Sequence, residues 1–364
     1  MEEWKQYKLG DVCSRLRSGK GIKADSVSDT GLFPVIGGNG VRGYTNESNF
    51  KGECAVIGRQ GAYCGNVRFY DGEAYMTEHA VVVVGNELAD TRFLACLLSL
   101  MHLGHLSAQS AQPGLSVQTL SKQLICLPPV EYQRRVSSII KSLDDKIEVN
   151  KQINDNLQHQ AQALYKSWFV DYEPFKNGEF VESELGMIPK GWRLGTLGEI
   201  IEIKYGKDHK KLSDGIIPVY GSGGLMRYAE KPLYEGESVL IPRKGTLNNV
   251  MYVNEAFWTV DTMFYTIPRM QNSMLFAYIL LSNKDLASMN SGSAVPSMTT
   301  EILNNIQFVM PVSDVLAEFN RLVFAYYAQI RHYDQETRRL AQLRDAILPR
   351  LMSGELKVDE VIPS

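Results

Sequence analysis

The sequence predicts an α+β chain in which two related domains, β-rich with a few helices, are set about a pseudo-two-fold axis and separated by two long helices that pair as an antiparallel coiled coil. Three observations predict it. A glycine-rich segment is written twice, the apolar runs around it are short and β-like, and two stretches without glycine carry apolar residues at heptad spacing.

The repeat comes first. Gly31 to Tyr44 reads GLFPVIGGNGVRGY and Gly215 to Tyr228 reads GIIPVYGSGGLMRY. Pro34, Gly37, Gly40 and Tyr44 match Pro218, Gly221, Gly224 and Tyr228 at a constant offset of 184 residues. Lys8-Leu9-Gly10 matches Arg193-Leu194-Gly195, and Val56 to Gly61 (VIGRQG) matches Leu240 to Gly245 (LIPRKG). Pro113 and Pro128 match Pro296 and Pro311. A unit of about 180 residues is too long for a solenoid and implies tandem domains.

Each copy keeps one internal order. Short β-like runs lead, at Cys54–Gly58, Val67–Tyr70 and His79–Val84, then at Ser238–Ile241 and Phe264–Ile267, with glycine turns between them. One apolar helix follows in each copy, Arg92–His102 and Met274–Leu281. The run Phe93–Leu106 holds two histidines and falls short of the ~20 residues a bilayer span needs, so it reads as a core helix. After Pro128-Pro129 and after Pro311 a long helix begins; proline suits a first helical position, and Ser313 suits the N-cap of the second helix. Boundaries follow at 1–130 for the first domain, 131–172 for the first long helix, 173–190 for a linker, 191–311 for the second domain, 312–353 for the second long helix and 354–364 for a C-terminal tail.

In the first long helix Ile140, Leu143, Ile147, Asn150, Asn154, Leu157, Ala161, Leu164 and Trp168 alternate spacings of three and four. Val323, Tyr326, Ile330, Tyr333, Thr337, Leu340, Arg344, Ile347 and Leu351 do so in the second. Two amphipathic helices lying on separate domain cores would show similar patterns, but the continuous seam favours helices packed on each other. Asn150 and Asn154 then fix register near the middle, with Tyr333 and Thr337 as the expected polar partners. Pro349 is expected to kink or end the second helix.

Composition is that of an ordinary globular protein, with 44% hydrophobic and 22% charged residues and a net charge of −3. The N-terminus, MEEWKQYKLGD, lacks the pattern of a secretion signal, so a cytoplasmic protein with no membrane partner is expected. Five cysteines, all before residue 127 and without a CxxC pair, read as reduced thiols. Neither domain is basic: residues 1–130 carry 12 basic and 12 acidic groups, and 186–311 carry 12 and 11.

No motif of catalysis stands out, and none is expected in this chain. The only Pro-Pro, Leu127-Pro-Pro-Val130, is not the Asn/Asp-Pro-Pro-aromatic loop of an amino-methyltransferase, and Gly19-Lys20 lacks the upstream glycine of a phosphate-binding loop. Asp144-Asp145-Lys146 lies on the heptad helix, where charge is usually a solvated face. His102 and His105 read as the polar edge of a core helix rather than a metal site, and no metal or other cofactor is expected here.

A helix from Leu143 to Trp168 would rise about 38 Å, at ~1.5 Å per residue, against about 34 Å for one turn of B-DNA. Two inverted domains on such a rod would match the opposed strands of a duplex. The order of features resembles the specificity subunit of Type I restriction-modification systems over nearly the whole chain. The resemblance is carried by Leu127–Gln133 (LPPVEYQ), by Leu143-Asp-Asp-Lys-Ile147 running to Leu164-Tyr-Lys-Ser-Trp-Phe169, by Gly186–Trp192 (GMIPKGW), and by Ile347–Leu356 (ILPRLMSGEL).

The resemblance implies that the two domains are target-recognition domains, each reading one part of a bipartite double-stranded DNA sequence. It implies helices that set the unread spacer and dock two methyltransferase subunits. Those subunits would bring S-adenosylmethionine and methylate adenine, while restriction subunits would bring ATP-driven translocation and cleavage. A recognition subunit of a related non-Type I restriction enzyme, and a non-catalytic coiled-coil scaffold, are the alternatives. With so little net charge, partner subunits would supply much of the phosphate neutralisation.

The glycine loops Gly37–Gly40 and Gly221–Gly224 are hairpin turns whose rims suit a groove. Arg42 with Tyr44, and Arg227 with Tyr228, are placed there, and Asn39, Gln60, Asn66, Asn248 and Asn249 are candidate base readers beside Arg59, Arg243 and Lys244. Lys20, Lys23, Lys207, Lys210 and Lys211 are candidate phosphate contacts, and the loops with Gln109 and Gln112 and with Asn290 and Ser293 complete the set. Leu143, Ile147, Asn150, Asn154, Leu157 and Leu164 are expected to pair with Ile330, Tyr333, Thr337, Leu340 and Ile347.

Overall fold

A computed structural model describes residues 4–107, 114–289 and 297–361. The first copy runs β1 (Lys5–Lys8), β2 (Cys13–Ser18), β3 (Phe33–Gly37), β4 (Gly40–Thr45), β5 (Phe50–Gly58), β6 (Val67–Met76), β7 (Ala80–Gly85), α1 (Thr91–Leu100), α2 (Val117–Ser121), β8 (Leu124–Leu127) and the long α3 (Val130–Phe169). A hairpin of β9 (Phe180–Ser183) and β10 (Gly186–Pro189) leads to the second copy. There follow β11 (Arg193–Thr196), α4 (Leu197–Ile200), β12 (Ile201–Tyr205), β13 (Ile217–Gly221), β14 (Gly224–Ala229), β15 (Tyr234–Pro242), β16 (Met251–Thr259), β17 (Met263–Pro268), α5 (Met274–Ser282), α6 (Thr300–Asn304), β18 (Gln307–Met310), the long α7 (Ser313–Ser353) and the short α8 (Val358–Val361).

The sequence repeat is a repeat of topology. One six-stranded sheet has the order β2-β7-β5-β6-β3-β4 and the other β12-β17-β15-β16-β13-β14. In each a single parallel pair, β3 with β6 and β13 with β16, joins otherwise antiparallel strands. Strand β5 ends in the unbroken apolar run Cys54–Gly58 because both of its faces are covered. Ala55 and Ile57 pack with Val81, Val83, Phe93, Leu94 and Leu98, whereas Cys54 and Val56 pack with Met76, Ala80 and Val82. Helix α1 is capped by Asp90, whose carboxylate accepts from the Phe93 amide at 2.9 Å.

That helix is shorter than its apolar run. It stops at Leu100, and His102 adopts a left-handed backbone (φ 49°) before a 3-10 turn at Leu103–Leu106. His102 and His105 are exposed, and the His105 Nδ1 lies 2.9 Å from the His102 carbonyl.

The chain divides into two compact units that do not follow chain order, Met1–Val149 with Glu336–Ser364, and Asn150–Gln335. Each unit therefore holds half of α3 and half of α7, and within each the halves pack antiparallel. In the first unit Tyr132, Val136, Ile139 and Ile140 share a core with Leu351 and Met352. Arg344 donates to Asp144 at 2.8 Å, Arg92 stands 3.8 Å from the same carboxylate, and Lys146 lies 3.4 Å from Glu336. Asp144 is thus an anchor between two arginines rather than part of a solvated face.

In the second unit Leu157, Ala161, Tyr165 and Phe169 pack with Leu316, Phe319 and Val323. The Asn154 side chain donates to Asp334 at 2.7 Å and towards the Ile330 carbonyl at 3.4 Å. Asn154 thus meets Asp334, the residue next to Tyr333, whose side chain lies against the apolar cluster of the same unit. The helices also lie on their own domain cores, as Tyr327 does against Tyr252 and Tyr278 at 5.5 and 5.6 Å.

Three local expectations are corrected. Pro129 stands before the first helical residue, its carbonyl accepting from the Tyr132 and Gln133 amides at 3.0 and 3.2 Å. Ser313 is already inside α7, whose first turn is closed by the Val312 carbonyl accepting from Leu316 at 3.1 Å. Pro349 does not end α7; the helix continues because Leu351 and Met352 are buried in the first unit's core, and it stops before Gly354, whose φ of +74° no side chain favours.

Gln133 of the LPPVEYQ stretch is fully buried, donating to the Pro128 and Leu88 carbonyls at 2.8 and 3.0 Å and accepting from the Asp90 amide at 2.9 Å. Trp192 of the GMIPKGW stretch is buried against Phe169, Tyr172 and Phe175. Both motifs fasten long helices to domains.

The five cysteines form no disulfide. Burial pushes the thiols of Cys13, Cys54 and Cys96 up to about 12, whereas Cys126 is exposed on β8. Alkylation of the native chain at neutral pH is expected to label Cys126 and spare Cys54 and Cys96 until the chain is unfolded, which peptide mass mapping checks. Equal labelling of all five would contradict the described core.

Candidate nucleic-acid interface

In the first unit five chain segments meet: Gly19-Lys20 after β2, the β3–β4 turn, Arg59-Gln60 after β5, Thr77–His79 between β6 and β7, and Gly114-Leu115. The Gly19 amide donates to Ala80 and the Lys20 amide to Met76, at 3.0 and 2.9 Å. Thr77 donates to Ile36 at 2.9 Å, Arg59 to His79 at 3.0 Å, and Leu115 to Arg59 at 2.9 Å. A Cβ on Gly38 would lie 3.1 Å from the His79 carbonyl and 3.2 Å from the Gly58 Cα, so the turn glycine is where two loops touch. Gly40, with φ +104°, lets β4 leave that turn.

The second unit repeats the frame bond for bond. Gly206 donates to Met263 and Lys207 to Thr259, both at 2.9 Å; Val260 donates to Tyr220 at 3.1 Å, Arg243 to Thr262 at 2.8 Å, and Met298 to Arg243 at 2.9 Å. Gly224, at φ +112°, stands where Gly40 does.

Several of the residues chosen from sequence gather on this frame. In the first unit they are Lys20, Asn39, Arg59, Gln60 and Asn66; in the second, Lys207, Arg243, Lys244, Asn248 and Asn249. Lys20, Asn39, Gln60, Asn66, Lys207 and Lys244 are exposed, and Arg59 and Arg243 are half-buried. Arg42 and Tyr44 lie exposed on β4 and Tyr228 on β14. Lys23, Lys210 and Lys211 are exposed on the loops after β2 and β12. Gln109, Gln112, Asn290 and Ser293 fall outside the described residues.

Arg227 does not belong at the rim. Pairing aligns Pro218 with Tyr228 as it does Pro34 with Tyr44, so Arg227 occupies the position of Gly43 and Met226 that of Arg42. A strand alternates faces, so Arg227 points away from Met226 and Tyr228. Its guanidinium donates to the Leu212 carbonyl at 2.5 Å and lies 3.6 Å from Asp214, bracing the loop that carries Lys210 and Lys211.

Asn248 and Asn249 are also engaged. Asn248 donates to Asp285 and accepts from the Ala287 amide, both at 2.9 Å, and Asn249 donates to the Ser222 carbonyl at 2.8 Å, tying its loop to the hairpin turn. Arg243 lies over the Tyr205 ring at 5.3 Å. The side chains that sequence reasoning missed are Arg68, whose guanidinium donates to the Asn39 side chain at 3.0 Å, and exposed Met226. Only the register of the hairpin reveals Met226. A carboxylate, Glu78 or Asp261, sits in the β6–β7 turn and its counterpart.

Rims of lysine, arginine, asparagine and glutamine on a glycine-tight frame can contact phosphates and base edges. The family model described as the Type I restriction modification DNA specificity domain matches residues 1–159 and 189–315. The chain belongs to that family. It is 29% identical over 289 residues to the MjaIX specificity subunit of Methanocaldococcus jannaschii, an alignment covering 71% of this chain and 67% of that one. It is 37% identical over 146 residues to the EcoprrI specificity subunit of Escherichia coli, covering 39% of this chain and 36% of that one. The HindI specificity subunit of Haemophilus influenzae is 23% identical over 329 residues, covering 67% and 71%. The crystal structure of a Type-I restriction-modification system S subunit from M. genitalium has the same fold, with a TM-score of 0.67 over 96% of each chain at 17% identity. Among the described residues no helix is long and apolar enough to cross a membrane.

Proposed function

We propose that this member of the Type I specificity family is the DNA-recognition subunit of its restriction-modification complex, each six-stranded sheet presenting loops to one part of a bipartite, asymmetric target. The paired long helices set the number of unread bases and dock two methyltransferase subunits. Methyl transfer from S-adenosylmethionine and ATP-driven restriction are the work of partner subunits, and this chain selects the sequence. One observation carries the reading beyond family membership: a single backbone frame occurs twice with different side chains on it, such as Asn39, Arg42 and Gln60 against Gly223, Met226 and Lys244. A scaffold would not need one frame refilled.

Exchanging residues 1–130 for the matching segment of a relative with a different target tests it. Mapping methylated adenines in a host carrying the hybrid is expected to show one half of the target changed and the other intact. A change in both halves, or in neither, contradicts the modular reading.

A further inference from the structure

Two domains that read different bases on one fold must share whatever grips the sugar-phosphate backbone and differ in whatever reads bases, because phosphate contacts carry no sequence information. The two units can therefore be compared position by position. Most rim positions differ: Asn39 is replaced by Gly223, Arg42 by Met226, Gln60 by Lys244. Basic residues are kept at three places: Arg59 with Arg243, which are half-buried, Lys23 with Lys210 further out on the exposed loops, and Lys20 with Lys207. Only in the last pair does each directly follow a glycine, Gly19 and Gly206.

That pair is held by more than sequence. Gly19 and Gly206 donate to the first residues of β7 and β17, and the following lysine amide donates to the last residues of β6 and β16. A Cβ on Gly19 would lie 2.0 Å from the Met76 carbonyl oxygen, and one on Gly206 2.1 Å from that of Val260, so the backbone is pressed into the strand crossing with no room for a side chain. Both lysines emerge exposed from this clamp beside the loops that carry the variable residues.

We infer that Lys20 and Lys207 are matched phosphate anchors, setting each domain's register on the duplex without reading it, while the variable positions of the β3–β4 and β13–β14 turns and the loops after β5 and β15 discriminate bases. This rests on the DNA-recognition reading above. Each anchor neutralises one phosphate and releases its condensed counterion. Losing one lowers the slope of log affinity against log salt by about 0.9, which at 0.1 M salt amounts to about eightfold weaker binding and fades towards 1 M.

The test uses the full chain assembled with modification subunits and a pool of randomised duplexes. The selected sequence and the salt dependence are read for wild type, Lys20→Ala, Lys207→Ala, Lys20→Arg and Asn39→Ala. Both alanine variants are expected to select the wild-type sequence with the reduced slope, Lys20→Arg to restore the slope, and Asn39→Ala to alter one half of the sequence. A lysine variant that changes the selected bases at unchanged slope would show base reading and overturn the inference. So would a lowered unfolding midpoint without a slope change, which is the signature of a lysine held by Glu78 or Asp261 for stability. A wild-type assembly that selects no sequence overturns the DNA reading itself, and the anchors with it.

Discussion

Phe319→Ala is expected to destabilise the chain by about 3–5 kcal/mol, the range for deleting a large aromatic from a closed core. Phe319 has no exposed surface. Its ring meets Phe169 at 4.8 Å, Trp168 at 6.0 Å, Tyr165 at 6.2 Å and Phe276 at 6.4 Å, mostly edge to face. Three of those rings are on α3 and one on α5, so truncation opens a cavity where both long helices and the second domain's apolar helix converge. Aromatic neighbours on two backbones collapse poorly into such a hole, which places the cost towards the upper end. Phe324→Ala is the control: that side chain, on the same helix, is 40% exposed, and its loss should cost about 0.5 kcal/mol or less. Denaturant unfolding of both variants measures the difference, and equal midpoints would mean that the aromatic cluster does not hold the helices.

The fold was legible in the sequence where a physical constraint leaves a periodic or repeated mark. Heptad spacing marked the more buried face: Ile140, Ile147, Asn150, Asn154, Leu157 and Ala161 in the first helix and Val323, Ile330 and Leu351 in the second are buried, and the heptad positions between them are half-buried. The repeated glycines marked the hairpin turns because Gly40 and Gly224 need positive φ. What the sequence hid depends on register and on contacts distant along the chain. Arg42 and Arg227 look alike as residues near a turn, but strand pairing puts them on opposite faces. Asn249 looks like a free amide and is fastened to Ser222. The correspondence of Gly19-Lys20 with Gly206-Lys207 was obscured because the loops before the repeated turns differ in length, so the two dipeptides are 187 residues apart while the turns are 184 apart. The joining of residues 336–361 to the first domain leaves no periodic trace either: Leu351, Met352 and Val358 share a core with Tyr132, Val136 and Ile139, and the Tyr132 hydroxyl donates towards the Leu356 carbonyl at 3.3 Å.

Gly19→Ala and Gly206→Ala are expected to cost about 1–3 kcal/mol each, the range for forcing an extra methyl group into filled space, and to weaken DNA binding. Neither glycine has positive φ, so the expected loss is steric rather than conformational. At Gly19 the new methyl would meet Met76 O at 2.0 Å, Met76 C at 2.4 Å and Thr77 O at 2.6 Å; at Gly206 it would meet Val260 O at 2.1 Å and Thr259 Oγ1 at 2.7 Å. These neighbours are largely backbone at a strand crossing, so relief must come from moving the glycine segment outward, which lengthens the hydrogen bonds of Lys20 or Lys207 and displaces that side chain from the rim. Gly223→Ala separates this from any general intolerance of alanine in these loops. Its Cβ would meet nothing within 4 Å and its φ is not positive, so the change should be neutral or stabilise by about 0.4–1 kcal/mol through the unfolded chain. Chemical denaturation read against Gly223→Ala and a salt titration of binding read against wild type measure the two effects, and a Gly19→Ala variant as stable as Gly223→Ala and as tight-binding as wild type would remove the clamp from the account of how each domain holds its lysine.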